Sequence, residues 1–386
     1  MKVALVIERM DPGRGGRETS TAQIAAHLAR RGHAVTVLCG RGDWRCDGVE
    51  VRRLGRRGLS RLRRMQNFLF DVAAAISRER FDIVHSMLPV PGANVYQPRG
   101  GTVPGQVEAS RRRWGLLGWP RVAIFERLNR VRNLLGRLER QMLTDPRVSC
   151  LAVSRMVAQE FSDYFGADSN VRVVYNAVDV PEVDAEQRAD WRQQVRFRLG
   201  VGQGDPVFLT VATNFPLKGV TETIRAFARW YHSNQGAING RLVVVGRDAV
   251  EGYERIAGLQ DVGGLVAFVP PADDVFRWYA AADACVLLSW YDPCSRVVLE
   301  ATRWAIPSIT TVYNGAAEVL AEGAGIVVDS PKNVRAVAAA MDELADPKAR
   351  AERSDACLRL ADRLRMARHV DELIREYERI AARGTT

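Results

Sequence analysis

Two acidic residues, Asp292 and Glu300, bracket a turn in the stretch Tyr291-Asp292-Pro293-Cys294-Ser295-Arg296-Val297-Val298-Leu299-Glu300. The apolar run 284–289 before it has the length of a buried strand. Asp292-Pro293 ends that strand, and Ser295 suits the N-cap of a helix over 296–304. Even a fully helical path would separate the two carboxylates by roughly 12 Å, too far to share one metal ion or one proton. They suit instead the two ends of one long ligand, with the backbone amides of Ser295, Arg296 and Val297 between them facing an anion. A sugar joined through a diphosphate to a nucleoside has that shape. Lys218, in Thr213-Asn214-Phe215-Pro216-Leu217-Lys218-Gly219 just before a helical pattern, suits a cation meeting phosphate oxygens.

The elements that must position these groups follow from the hydrophobic pattern. Residues 3–7 read as a strand, 18–31 as a helix stopped by Gly32, and 33–39 as a second strand, a β-α-β opening that predicts a parallel sheet. The intervening loop carries Gly13, Gly15 and Gly16, which let backbone approach a ligand, although the spacing is not that of a dinucleotide fingerprint. Arg14 and Glu18 flank these glycines and are candidate contacts to a sugar or an acceptor. Residues 81–85 form a strand ending in His85, at the kind of strand end where ligands gather, with a satisfied structural histidine as the equal alternative, and the loop 91–102 offers Arg99 as a cation. Residues 207–212, 241–245, 265–269, 284–289 and 306–310 read as strands of a second sheet; helices are expected over 220–233 and 273–282, and the loop 314–317 after the last of these strands should lie near the diphosphate. The pattern predicts a first domain over 1–180, a polar linker over 181–204, a second domain over 205–364, and a final helical segment, 365–386, crossing back to the first domain.

At 386 residues, 47% hydrophobic and 26% charged, the chain is long enough for two globular domains. It contains no run of eighteen apolar residues, and charge interrupts its N-terminus after Ile7; the expectation is a cytoplasmic protein without a spanning helix. The six cysteines show no metal-type spacing and read as buried thiols in a reducing compartment; no metal and no cofactor are expected. The net charge of +10 is uneven, +13 over residues 1–180 and −3 over the remainder. Seven arginines fall within 52–64, and a cluster from Arg111 to Trp119 interleaves arginine with tryptophan. A basic helix with apolar and tryptophan neighbours can dock on an anionic membrane face, here the inner one, while an arginine-rich solvated surface is the plain alternative; no nucleic-acid partner is expected.

With these residues in view, the chain resembles the retaining glycosyltransferases of family 4. Asp292-x7-Glu300 is similar to that family's Glu-x7-Glu signature, with Asp in the first place. The run from Tyr291 to Ala301 resembles the lipopolysaccharide-core glucosyltransferase branch. Residues 171–179 resemble the passage that closes the family's first domain, and Leu217-Lys218 stands where an Arg-Lys pair is common. The resemblance implies an α/β protein of GT-B architecture: two Rossmann-like parallel-sheet domains facing across a cleft. It implies metal-independent, retaining transfer of a hexose from a nucleotide sugar, UDP-glucose-like, to a hydroxyl of a lipopolysaccharide core, another glycolipid or an oligosaccharide. Donor contacts would come from Arg14, Gly15, Gly16, Asn214, Lys218, Asp292, Cys294, Ser295, Arg296, Val297 and Glu300, with Asp292 on the sugar hydroxyls and Glu300 on the ribose. Glu18, His85 and Arg99 would face the acceptor, and Lys218, Asp292 and His85 would be catalytic. Two rivals stand beside this reading: a basic surface-binding protein of the same fold with impaired catalysis, and a two-domain epimerase of the UDP-N-acetylglucosamine type.

Overall fold

Apolar runs such as Val3–Ile7, buried on both faces, are what an all-parallel sheet covered by helices requires. In the computed structural model, which describes residues 1–167, 170–235, 238–271 and 274–383, the chain divides into two units, Met1–Val178 with the chain from Arg365 onward, and Asp179–Leu364.

The first unit holds a seven-stranded sheet: β1 (Lys2–Arg9), β2 (Ala34–Arg41), β3 (Val49–Arg53), β4 (Ile83–Ser86), β5 (Val95–Tyr96), β6 (Ser149–Ala152) and β7 (Val171–Val173). All pairings are parallel, in the order β3-β2-β1-β4-β5-β6-β7. Its helices are α1 (Gly16–Arg30), α2 (Arg61–Arg78), α3 (Val103–Leu128), α4 (Arg130–Thr144) and α5 (Arg155–Phe165). Side-chain caps start four of them: Ser60, Thr102, Asn129 and Ser154 each accept a hydrogen bond from an amide of the first turn. Inside α3 the backbone at Gly115 leaves helical geometry, with φ of 66°, and Pro120 follows in the same helix.

The second unit opens with α6 (Ala185–Leu199), capped by Asp184 and closed by Gly200. Residues 181–204 are therefore not an open linker. Trp191 of α6 stacks on Trp304, 6.4 Å between ring centroids, and the fully buried Arg196 bonds Asp283, so this segment belongs to the second unit's core. The outer face of α6 is as polar as a linker, while Arg188, Arg192 and Arg196 turn inward and bond the second unit. Six parallel strands follow: β8 (Val207–Thr213), β9 (Arg241–Arg247), β10 (Val266–Val269), β11 (Ala284–Leu287), β12 (Ser308–Thr311) and β13 (Gly325–Val328), in the order β10-β9-β8-β11-β12-β13. The accompanying helices are α7 (Val220–Ser233), α8 (Glu251–Leu259), α9 (Phe276–Ala281), α10 (Arg296–Arg303), α11 (Ala317–Leu320), α12 (Val334–Ala345) and α13 (Pro347–Leu360). The expected start of a helix at Asp273 lies outside the described residues. The chain then returns to the first unit as α14 (Met366–Arg383), whose Met366, Val370, Leu373, Tyr377 and Ile380 share one apolar core with Leu5, Ile7 and Ile24.

Candidate functional site

In the second sheet the winding direction reverses between neighbours β8 and β11, and the crevice at the carboxyl ends of such a pair is where open parallel sheets take ligands. Leaving β8, the chain turns at once. Asn214 sits in the left-handed region with φ of 65°, and its carbonyl accepts the amides of Leu217 and Lys218 at 3.0 and 3.2 Å. Asp248 secures the same turn by accepting the Phe215 amide at 2.8 Å. Gly219, with φ of 67°, precedes α7; a Cβ there would lie 2.2 Å from the Leu288 carbonyl oxygen, so only glycine lets this loop rest on the end of β11. The Trp290 amide ties the two segments by donating to the Leu217 carbonyl at 2.9 Å. This packing brings the Lys218 ammonium onto the Asp292 carboxylate as an ion pair, with side-chain exposures of 18% and 12%.

After β11, Asp292 is pinned from both sides. Its amide donates to the Tyr313 carbonyl and its carbonyl accepts the Gly315 amide, each at 2.9 Å. Asn314 between them is fully buried: its side-chain oxygen accepts the Ser295 and Ala316 amides at 3.1 and 3.0 Å, and its nitrogen donates to Thr310 Oγ1 at 2.9 Å. Ser295 occupies the N-cap position of α10 as expected, but its hydroxyl makes no cap. The first-turn amides of α10, which have no acceptor within the helix, thus present the positive end of the helix dipole beside Asp292 and Lys218. Cys294 is buried in the turn. Arg296 points along α10 to Glu300, 3.0 Å away, and Glu300 also accepts the Tyr279 hydroxyl at 3.3 Å. Burial pushes the Glu300 carboxyl above its ordinary value, partly opposed by Arg296 and by the Tyr279 and Arg296 hydrogen bonds.

The first-unit candidates divide into two groups. Gly15 and Gly16 stand at the N-terminus of α1, Arg14 is half-exposed with its Nε 3.4 Å from Asp11, and Glu18 is in the first turn with its carboxylate beside Gly15. A carboxylate at that position favours the helix N-terminus. His85 and Arg99, expected to face the acceptor, are instead parts of a buried network. His85 is fully buried, its Nδ1 2.5 Å from the Tyr377 hydroxyl of α14; burial, with the charge of Arg99, pushes its imidazole down to about 3 and keeps it neutral. Arg99 donates to Gln97 at 2.8 Å and to Ser20 and Asn176, and lies 3.3 Å from His369 Nε2. α14, distant in sequence, folds over the end of β4 and covers both side chains. Conversely, the residues Tyr279, Asp248 and Asn314 shape the site but were not singled out as contacts. The first two carry no local signal; the loop 314–317 was expected near the diphosphate, but nothing local shows that the Asn314 side chain holds the Ser295 amide.

Among the described residues, no group of three or more His, Cys, Asp or Glu side chains is arranged to hold a metal ion, and no helix is long and apolar enough to cross a membrane.

Comparison with known proteins gives a family and a fold. Residues 14–182 match the family model Glycosyltransferase Family 4, and residues 192–356 match the model Glycosyl transferases group 1. The lipopolysaccharide glucosyltransferase WaaG of Escherichia coli is 30% identical over 148 residues, 38% of this chain and 39% of that protein. The chain spans about half the length of the curated relatives that it matches. The crystal structure of WaaG, a glycosyltransferase involved in lipopolysaccharide biosynthesis, matches with a TM-score of 0.81 at 21% identity, covering 96% of this chain and 98% of that one. The crystal structure of HepE from Anabaena in complex with UDP-glucose matches with a TM-score of 0.73 at 15% identity, covering 98% and 99%. At these identities both structures speak for the fold, two Rossmann-like parallel-sheet domains.

Proposed function

Because the chain belongs to the GT-B glycosyltransferases of family 4, we propose that it moves a hexose from a nucleotide-diphosphate sugar, of the UDP-glucose type, to a hydroxyl acceptor with retention of anomeric configuration. The observation that carries this reading is the Lys218–Asp292 pair at the switch point of the second sheet, beside the N-terminus of α10 and on the loop leading to the helix that bears Glu300. In this reading the diphosphate lies on the first-turn amides of α10 and draws the Lys218 ammonium to itself. Asp292, released from the ion pair, then accepts hydrogen bonds from the sugar hydroxyls, while Glu300 accepts those of the ribose. As the sugar–phosphate bond breaks, its electron pair goes to the leaving diphosphate, and Lys218 and the helix dipole stabilise the growing charge. The acceptor hydroxyl attacks the same face of the sugar, and its proton passes to the departing phosphate oxygen. The UDP-glucose complex of HepE and the activity named for the Escherichia coli relative support the choice of donor.

We further infer that the acceptor is a glycolipid reached at an anionic membrane surface. On and beside α3, Trp114, Ile124, Phe125 and Leu128 are 54–73% exposed, among Arg111, Arg113, Arg127 and Arg130. Apolar side chains set among guanidiniums suit the headgroup–acyl boundary of acidic lipids.

Incubating the full chain with radiolabelled UDP-, GDP- and ADP-hexoses and glycolipid, in vesicles with and without anionic lipid, tests both parts. Transfer with one donor, with the product's anomeric configuration retained, supports the reading. Epimerised free sugar nucleotide would favour the epimerase. Vesicle binding without turnover of any donor would favour a surface-binding protein.

A further inference from the structure

At the opposite end of the second sheet, before β11 and β12 begin, three helices terminate together. The last carbonyls of α9, at Ala280 and Ala281, and that of Ala282 accept from Arg192 at 3.2–3.3 Å. The carbonyl of Trp304, ending α10, accepts from Arg188 at 2.6 Å, and those of Leu344 and Ala345, ending α12, accept from Arg350 at 3.0 and 3.1 Å. The same three guanidiniums line a cavity of about 230 Å³ whose wall also holds Asp283 and Ser354.

The charges there do not balance. Each helix end carries about half a negative charge, so three ends and the Asp283 carboxylate supply about two and a half. Four guanidiniums oppose them, because the buried Arg196 also bonds Asp283, at 3.0 Å. With Asp205, whose charge also acts on Arg196, counted on the negative side, a surplus of about half a positive charge remains. Asp283 is already committed: Oδ1 accepts from Arg192 at 2.7 Å, Oδ2 from Arg196 and from the Val207 amide at 2.9 Å, and Arg350 stays 3.9 Å away. Among the described residues Arg188 meets the Trp304 carbonyl and, at 5.0 Å, its ring, which leaves most of its five N–H donors unused by them. Burial and the neighbouring charge of Arg192 push the Arg188 pKa below its ordinary value.

We propose that this cavity is a second ligand site, distinct from the sugar-nucleotide site, that binds a small dianionic oxyanion, a phosphate or phosphomonoester group, through Arg188, Arg192 and Arg350, with the Ser354 hydroxyl as a further donor. A planar guanidinium fork matches two oxygens of such a group.

The test is calorimetric titration of the full chain with inorganic phosphate and, in a second arm, glycerol 3-phosphate, at constant ionic strength. The host is the Lys218→Ala variant, so that the cation proposed for the donor diphosphate is absent. Saturable binding of one equivalent in either arm is expected, and the arm with the tighter binding tells a free phosphate from a phosphomonoester. Arg188→Gln should weaken it about tenfold or more, the loss of one charge-assisted contact. Ser354→Asp, which places a carboxylate among the arginines, should raise Tm without ligand and abolish the binding; its folding is read from that Tm, so the test survives a misfolded Arg188→Gln. Absence of saturable binding in both arms, or undiminished binding by Ser354→Asp, overturns the proposal.

Discussion

Replacing Lys218 with alanine should separate what the ion pair does for folding from what the ammonium does for turnover. In the free chain both side chains are largely covered, at 18% and 12% exposure, and Lys218 is the cation bonded to the Asp292 carboxylate. Removing it strands a mostly buried acceptor, which costs about 1–3 kcal/mol of stability, a Tm drop of a few degrees for a unit of this size. Asp292→Ala should also destabilise the chain, and the double variant should be more stable than the sum of the two losses implies, because neither charge is then left unpartnered. Catalysis should behave differently. In the proposed reaction the ammonium faces a charge that grows as the diphosphate leaves, so its loss should lower kcat about 10²–10³-fold, the effect of deleting one preorganised donor, with a smaller loss of donor affinity. The double variant, though stabilised, should regain none of that rate. Initial-rate kinetics with UDP-glucose alongside thermal unfolding of the four chains measure both quantities. Recovery of turnover in the double variant, or a fall in kcat of less than about threefold for Lys218→Ala, would refute the assignment.

Glu300→Gln should reduce UDP affinity more than tenfold by calorimetry, yet leave Tm unchanged or higher, because burial already disfavours the charged carboxyl. Gly219→Ala should destabilise the second unit by at least about 2 kcal/mol in denaturant titrations, since the left-handed backbone and the Leu288 carbonyl both exclude a Cβ, and turnover should fall as Lys218 is displaced. Glu139 of α4 accepts the Tyr96 hydroxyl at 2.6 Å and the Val103 amide at 2.8 Å, and burial pushes its carboxyl up to about 7. Its contribution to stability is therefore full below about 4.5 and is lost as pH rises to about 7, by about 3 kcal/mol; Glu139→Gln should flatten that limb in denaturation midpoints across this range. His85 has the opposite sign: with its imidazole held at about 3, the stability it contributes is full above about 6.5 and is lost as pH falls, and His85→Gln should reduce that acid sensitivity in the same measurement.

That both sheets are parallel was legible because strands buried on both faces are continuous apolar runs, whereas the half-exposed β3 and β13 and the two-residue β5 left no such run and the strand order was not legible; Asp292 to Glu300 was legible because the turn between them is local. Lys218 could be placed near a phosphate from its position before α7, but its pairing with Asp292 depends on the contact of Gly219 with Leu288, which no periodicity records. The burial of His85 and Arg99 was not legible for the complementary reason, and of the two readings of His85 the structural one matches its surroundings. A strand-end histidine looks open until a helix from the far end of the chain supplies Tyr377 and His369 to cover it. Residues 181–204 read as a linker because α6 is polar, yet Arg192 and Arg196 direct that polarity at Asp283 and at the carbonyls around Ala281.

A crystal structure of the full chain with an unhydrolysed UDP-hexose analogue tests the central claim most directly. The expected result is a diphosphate within hydrogen-bonding distance of the α10 first-turn amides and the Lys218 ammonium, with the ribose hydroxyls on Glu300 and the Lys218–Asp292 pair parted. A nucleotide bound elsewhere, with that pair intact, would contradict it.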